Sequence, residues 1–252
     1  MMKRQSLNRS RPTLHRMIGI AAVAVVFATL PRPAFGQATS GVSGMRIGII
    51  GSGNIGSTVG TLWVKAGHQV LFSSRHPEEL KSLVDGLGPL ARAGTVKEAL
   101  AFGDVVFIGV PYSAYPQIGK DYAQEFKNKI VLNTGNAVPA HDGEISKEAS
   151  ENGVGITSAK YLTRARIVRA FNTMNYRRLA SNANRQGAHI AIPIAGDDKD
   201  ALTVASGLVR DAGFDPVIIG PLESAKYFAQ GGPLYGQDIT VQEMQQRLKT
   251  LR

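Results

Sequence analysis

Met45-Arg46-Ile47-Gly48-Ile49-Ile50-Gly51-Ser52-Gly53-Asn54-Ile55-Gly56 is the stretch that decides the fold. Its first half is apolar and rich in β-branched residues, as a strand buried on both faces of a parallel sheet requires. It runs directly into Gly51-x-Gly53-x-x-Gly56, and a helical stretch from Ile55 to Ala66 stops at Gly67. In such a turn the first glycine permits the sharp bend and the second lets a pyrophosphate approach the backbone. The third lets helix and strand pack closely. The helix N-terminus then offers unpaired amides and a positive dipole end to phosphate. Glycine spacing alone is a common accident. Here a strand precedes it, a helix follows, and a second strand over Gln69 to Phe72 comes at the expected distance. Gly51, Ser52, Gly53, Asn54, Ile55 and Gly56 are therefore the expected pyrophosphate cradle.

The end of the second strand reads Ser73-Ser74-Arg75-His76, with no acid before Glu78. An NAD site places Asp or Glu there, to accept from the ribose 2′-hydroxyl. A carboxylate would repel a 2′-phosphate, whereas hydroxyls and a guanidinium donate to it. Ser73, Ser74 and Arg75 thus predict NADP(H) rather than NAD(H), against the plainer reading of a solvated loop.

Working outward, strands and helices alternate. A helix–strand unit covers Pro77 to Gly94, and Thr95 suits an N-cap for a helix over Val96 to Phe102. Further strands are expected at Val105–Gly109, Ile130–Asn133, Arg166–Phe171, His189–Ala195 and Pro216–Ile219, with an amphipathic helix over Lys199–Ala212. The pattern predicts an α/β Rossmann-type, doubly wound, mostly parallel sheet with a short helical extension from Pro221 to Arg252. Ligands of such sheets sit beyond the carboxyl ends of the strands. That rule selects the loops Gly109-Val110-Pro111-Tyr112, Asn133-Thr134-Gly135-Asn136 and Phe171-Asn172-Thr173-Met174-Asn175, although each is also ordinary turn composition. Val110, Pro111, Asn172, Thr173 and Met174 are the expected nicotinamide neighbours. One ring face should be covered by apolar side chains and the other left open to an acceptor.

Residues 1–36 read as an export signal: a basic segment to Arg16, an apolar run from Met17 to Leu30, then Pro31 to Gly36 with small residues at Ala34 and Gly36. This predicts cleavage before Gln37, a linker over 37–44, a domain over 45–252, and a periplasmic or secreted protein. An uncleaved anchor, or a cytoplasmic enzyme with a misassigned start, is the alternative. The formal charge of +10 falls to +4 once the six cations of that segment (Lys3, Arg4, Arg9, Arg11, Arg16, Arg32) are set aside, which removes the case for nucleic-acid binding. There is no cysteine, so disulfides, zinc thiolates and thiol nucleophiles are excluded. His141, Asp142 and Glu144 share one loop but lack metal-ligand spacing, so no metal is expected. His141 and His189 read as structural, and Asp197 to Asp200 as a solvated helix start.

The combination of MRIGIIGSGNIG, SSRHPEEL, GVPY, RAFNTMN and the closing GPLESAKYF…GGPLYG resembles the NADP-dependent reductases of the deazaflavin coenzyme F420. The likeness extends from about Met45 to the C-terminus. The same features are similar to the oxidoreductase domain of six-transmembrane metalloreductases and, more loosely, to pyrroline-5-carboxylate reductases. The resemblance implies hydride transfer between NADPH and a flavin-like ring, with coenzyme F420 or a flavin as second substrate. It also implies the pyrophosphate loop at Gly51–Gly56, 2′-phosphate contacts at Ser74 and Arg75, and nicotinamide contacts at Val110, Pro111 and Asn172–Met174. Two departures bear on the acceptor: Asn172 stands where deazaflavin reductases can carry histidine, and those enzymes are cytoplasmic. The expected partners are a small-molecule electron acceptor and a second copy in a homodimer, with no stable membrane span after signal removal. A non-catalytic NADP-binding redox sensor is the rival from another class. Hydride transfer between stacked rings needs alignment more than an acid–base pair, so no catalytic side chain is singled out.

Overall fold

A computed structural model describes residues 44–251. The expected signal segment at 1–36 and all but the last residue of the linker at 37–44 lie outside the described residues. The strands are β1 (Arg46–Ile50), β2 (Gln69–Ser73), β3 (Ala91–Gly94), β4 (Val105–Ile108), β5 (Ile130–Asn133), β6 (Arg166–Arg169), β7 (Ala191–Gly196) and β8 (Asp215–Gly220). The helices are α1 (Asn54–Lys65), α2 (Lys81–Leu87), α3 (Val96–Phe102), α4 (Tyr115–Asp121), α5 (Pro139–Asp142), α6 (Glu144–Asn152), α7 (Val154–Tyr161), α8 (Tyr176–Asn182), α9 (Lys199–Asp211) and α10 (Val241–Leu251).

The strands form one sheet in the order β3-β2-β1-β4-β5-β6-β7-β8. The first six are parallel in the Rossmann order, so the chain reverses direction at β1 and opens a crevice between β1 and β4. β7 runs antiparallel to β6, and β8 parallel to β7. Both faces are covered, which is why β4 is apolar along its whole length, and β1 and β5 are apolar but for Arg46 at the start of one and Asn133 at the end of the other.

Local chemistry sets the boundaries. Thr95 caps α3 as the sequence predicts, and Glu98, not singled out there, completes a reciprocal capping box. β6 stops at Arg169, two residues earlier than expected, because Phe171 takes a left-handed backbone (φ 58°) that no strand continues. Its ring packs edge-on against Trp63, Phe107 and Phe214, and that packing offsets the local strain. The tail is helical only in part: a 3-10 turn over Leu222–Tyr227 leads into irregular chain and then α10. Asp197 and Asp198 are more than a solvated helix start. Asp198 caps α9 and pairs with Arg166, while Asp197 accepts from the Leu222 N–H.

Candidate functional site

The phosphate loop leaves β1 at Gly51, whose φ of 88° and closeness to Val110 (an added Cβ would lie 2.4 Å from Val110 Cγ1) both demand glycine. At Gly56 an added Cβ would meet the Gly51 carbonyl at 2.1 Å, so a side chain there would push α1 off the sheet. Gly53 instead faces open space. It is the N-cap of α1, and no side chain caps that helix and no acid sits in its first turn. The amides of Asn54, Ile55 and Gly56 are thus left for an anion. The Ser52 hydroxyl is buried without a protein partner.

Beyond β2 the expected trio divides. Ser73 is buried, and its hydroxyl donates to the Ile49 carbonyl at 2.6 Å, so that side chain is committed to the sheet. Ser74 is half-buried and Arg75 exposed just beyond the end of β2, and the Ser74 hydroxyl accepts from the His76 amide at 3.1 Å. No carboxylate pairs with Arg75 among the described residues; Glu78 lies against His76 instead.

The three strand-end loops do converge. Together with Asn54 and Ile55 they enclose a cleft of about 350 Å³. Val110 and Pro111 form one wall, Thr134 to Asn136 another, and Asn172 and Met174 the end nearest β6. Thr134 Oγ1 donates to the Phe171 carbonyl at 2.8 Å. Asn136 and Asn172 are doubly joined, Nδ2 of the first to the carbonyl of the second and Nδ2 of the second to Oδ1 of the first. These bonds lock the β5 and β6 loops together. Asn172 Nδ2 also donates to the Phe228 carbonyl at 2.8 Å, which leaves Asn172 Oδ1 a buried acceptor without a protein partner. Thr173 is buried and does not reach the cleft; its carbonyl accepts from the Gly236 amide. Met174 lines the cleft but is only 5% exposed and belongs to the core.

Sequence reasoning missed the tail. Tyr235 reaches the cleft from the irregular chain after the 3-10 turn, and Phe228 anchors Asn172. Gly-Gly-Pro-Leu-Tyr-Gly was conspicuous at 231–236, yet nothing in its spacing says which strand end it covers. Also missed was Arg169, fully buried at the end of β6. His141 is exposed, Asp142 caps the backbone of Ser113 and Val138, and His189 lies 3.8 Å from Asp215. No group of side chains suited to a metal occurs among the described residues.

The arrangement fits NADP(H): a glycine cradle at an uncapped helix end, a rim with Arg75 and no paired acid, and an orphaned carbonyl oxygen on Asn172 able to accept from a carboxamide. Fold and glycine loop are those of a Rossmann-type dinucleotide-binding domain. Residues 46–137, from β1 through the β5 loop, match the family described as NADP oxidoreductase, coenzyme F420-dependent. Metalloreductase STEAP3 of Rattus norvegicus is 27% identical over 185 residues, which cover 72% of this chain and 35% of that protein. The chain therefore spans about a third of that relative's length. Among solved structures, a hypothetical protein of Sinorhizobium meliloti superposes with a TM-score of 0.66 at 27% identity, over 78% of this chain and 95% of the other. One described as an F420-dependent NADP-reductase, from Arthrobacter sp. FB24, gives 0.61 at 19% identity over 72% and 87%, a likeness of fold alone.

Proposed function

We propose that the protein transfers a hydride between NADPH and a planar flavin-like acceptor, of which coenzyme F420 is the leading example. The observation that carries this reading is the cleft itself, where three strand-end loops meet the open end of the glycine cradle beside Tyr235. When bound, NADPH supplies the hydride and the protein supplies alignment. In this reading Gly51 to Gly56 hold the pyrophosphate, Ser74 and Arg75 the 2′-phosphate, and Asn172 Oδ1 the carboxamide. Val110 and Pro111 cover one side of the ring, while the cross-linked Asn136 and Asn172 keep the pocket's dimensions fixed. No acid–base pair is required.

A flavin or ferric acceptor is the second reading, favoured by the likeness to a metalloreductase. Anaerobic stopped-flow oxidation of bound NADPH by F420, FMN, FAD and ferric chelates separates the cases. F420 is expected to give the fastest single turnover; a faster flavin or ferric reaction supports the second reading. NADPH that binds but is oxidised by none of them sinks both and leaves a non-catalytic NADP-binding module. Export of the protein with cleavage before Gln37 is part of the proposal, and N-terminal sequencing of the native protein tests it. An intact Met1 on soluble cytoplasmic protein contradicts it.

A further inference from the structure

Arg169 is an unusual residue to find at the last position of a central strand. Its side chain is 0% exposed. Nη1 donates to Asn133 Oδ1 and to the Gly135 carbonyl, while Nε and Nη2 have no protein partner. No carboxylate forms an ion pair with it among the described residues. Its ring neighbours Tyr112 and Tyr115 stay neutral, since burial pushes both hydroxyls above their usual range. The buried Asp142 has its oxygens on the Ser113 and Val138 amides. Burial lowers the guanidinium's own pKa, yet an arginine side chain is not deprotonated in proteins and keeps its charge at neutral pH. Burying a cation without a counter-ion is costly, and a neutral glutamine could donate to the same two oxygens. Holding the loop therefore does not account for a charge.

The charge has a place in the site. The two oxygens that Arg169 grips belong to Asn133, at the end of β5, and to Gly135, which with Thr134 and Asn136 lines the cleft shared with Val110 and Pro111. The cation thus sits behind the wall of the pocket given above to the nicotinamide. That ring is positively charged when oxidised and neutral when reduced. We infer that Arg169 makes the cleft discriminate between the redox states of its cofactor, holding NADPH more tightly than NADP+. The inference rests on the NADP reading of this cleft. Like charges ~10 Å apart at an effective dielectric of ~20 repel enough to change a binding ratio about tenfold. By linkage the potential of the bound couple rises about 30 mV above that of the free couple.

The test is a pair of titrations, with NADPH and with NADP+, on the wild type, Arg169→Gln and Arg169→Met. The wild type should bind NADPH about tenfold more tightly, and the neutral variants should bring the ratio close to one, mainly by improving NADP+ binding. A merely structural role would change both affinities together and leave the ratio alone. Adenosine 2′,5′-bisphosphate, which lacks the nicotinamide, should bind all three proteins alike. A wild-type ratio near one overturns the inference even if neither variant folds, and so does a folded variant that keeps the wild-type ratio. Equal binding of both forms defeats this inference alone; a wild type that binds neither defeats the NADP reading with it.

Discussion

Arg75 and Asn172 sit at opposite ends of the proposed cofactor site, and single substitutions at each should produce different kinds of loss. Arg75 is exposed and has no partner carboxylate, so replacing it changes binding without disturbing the fold. Arg75→Asp replaces a charge-assisted donor with a repelling group. It should weaken NADPH by about 2–4 kcal/mol and NADH far less. Calorimetric titration with both cofactors checks this, and equal losses would mean the guanidinium does not read the 2′-phosphate. Asn172 is buried and joins three segments through one amide group. Asn172→Ala strands the Phe228 carbonyl and one oxygen of Asn136. It should lower stability by about 1–3 kcal/mol, read from a denaturant melt. Unchanged stability would mean the loops are held by the rest of their packing. Met174 lines the cleft but is 5% exposed and packed into the core, so a larger residue there would overpack before it obstructed an acceptor.

At the scale of elements, β1, β2, β4 and β5 were legible because each is a short, mainly apolar run buried on both faces, whereas the edge strand β3 (Ala-Arg-Ala-Gly, half exposed) was legible only as part of a helix–strand unit. β6 was legible only in its first four residues. Its end is set by the left-handed Phe171, whose ring is held by Trp63, Phe107 and Phe214, contacts between residues far apart in sequence. The reversal at β7 left no mark either, since a fully buried strand has the same composition in either direction. The junction between β6 and α9 carries its own prediction. Arg166 Nε donates to Asp198 Oδ2 at 2.9 Å, and the ion pair holds the Asp198 carboxyl at about 2, below its unfolded value. A depressed carboxylate contributes stability that is present above pH ~4 and lost as pH falls towards ~2. The group is partly exposed, so its share is modest. Thermal melts between pH 5 and pH 2.5 should fall less steeply in Asp198→Asn than in the wild type. Parallel curves would show that the pair gives no net stability.

For the molecule as a whole, the question is how much of the chain after β8 the site requires. The segment from Leu222 to Ile239 is built into both core and cleft. Phe228 and Leu234 are buried, Asn172 bonds to Phe228, Tyr235 lines the cleft, and the Ile239 carbonyl accepts from the amide of Ala191, the first residue of β7. α10 is different: Met244 is its buried residue, and Val241, Leu248 and Leu251 only partly cover the core cluster beneath. None of its residues lines the cleft. A chain ending at Thr240 should therefore still fold, losing about 2–5 kcal/mol, the range for deleting one large buried apolar side chain. For a domain of this size that lowers Tm by about 5–15 °C. Its NADPH affinity at 20 °C should stay within about threefold of the full chain, and saturating NADPH should raise both melting temperatures by similar amounts. A chain ending at Gly220 should yield no folded protein, because it removes Phe228 and Leu234 from the core together with the partner of Asn172. Differential scanning calorimetry with and without NADPH reads both truncations. A Thr240 chain that folds but no longer binds the cofactor would show that α10 belongs to the site, and that the cleft bounded by Tyr235 is drawn too small.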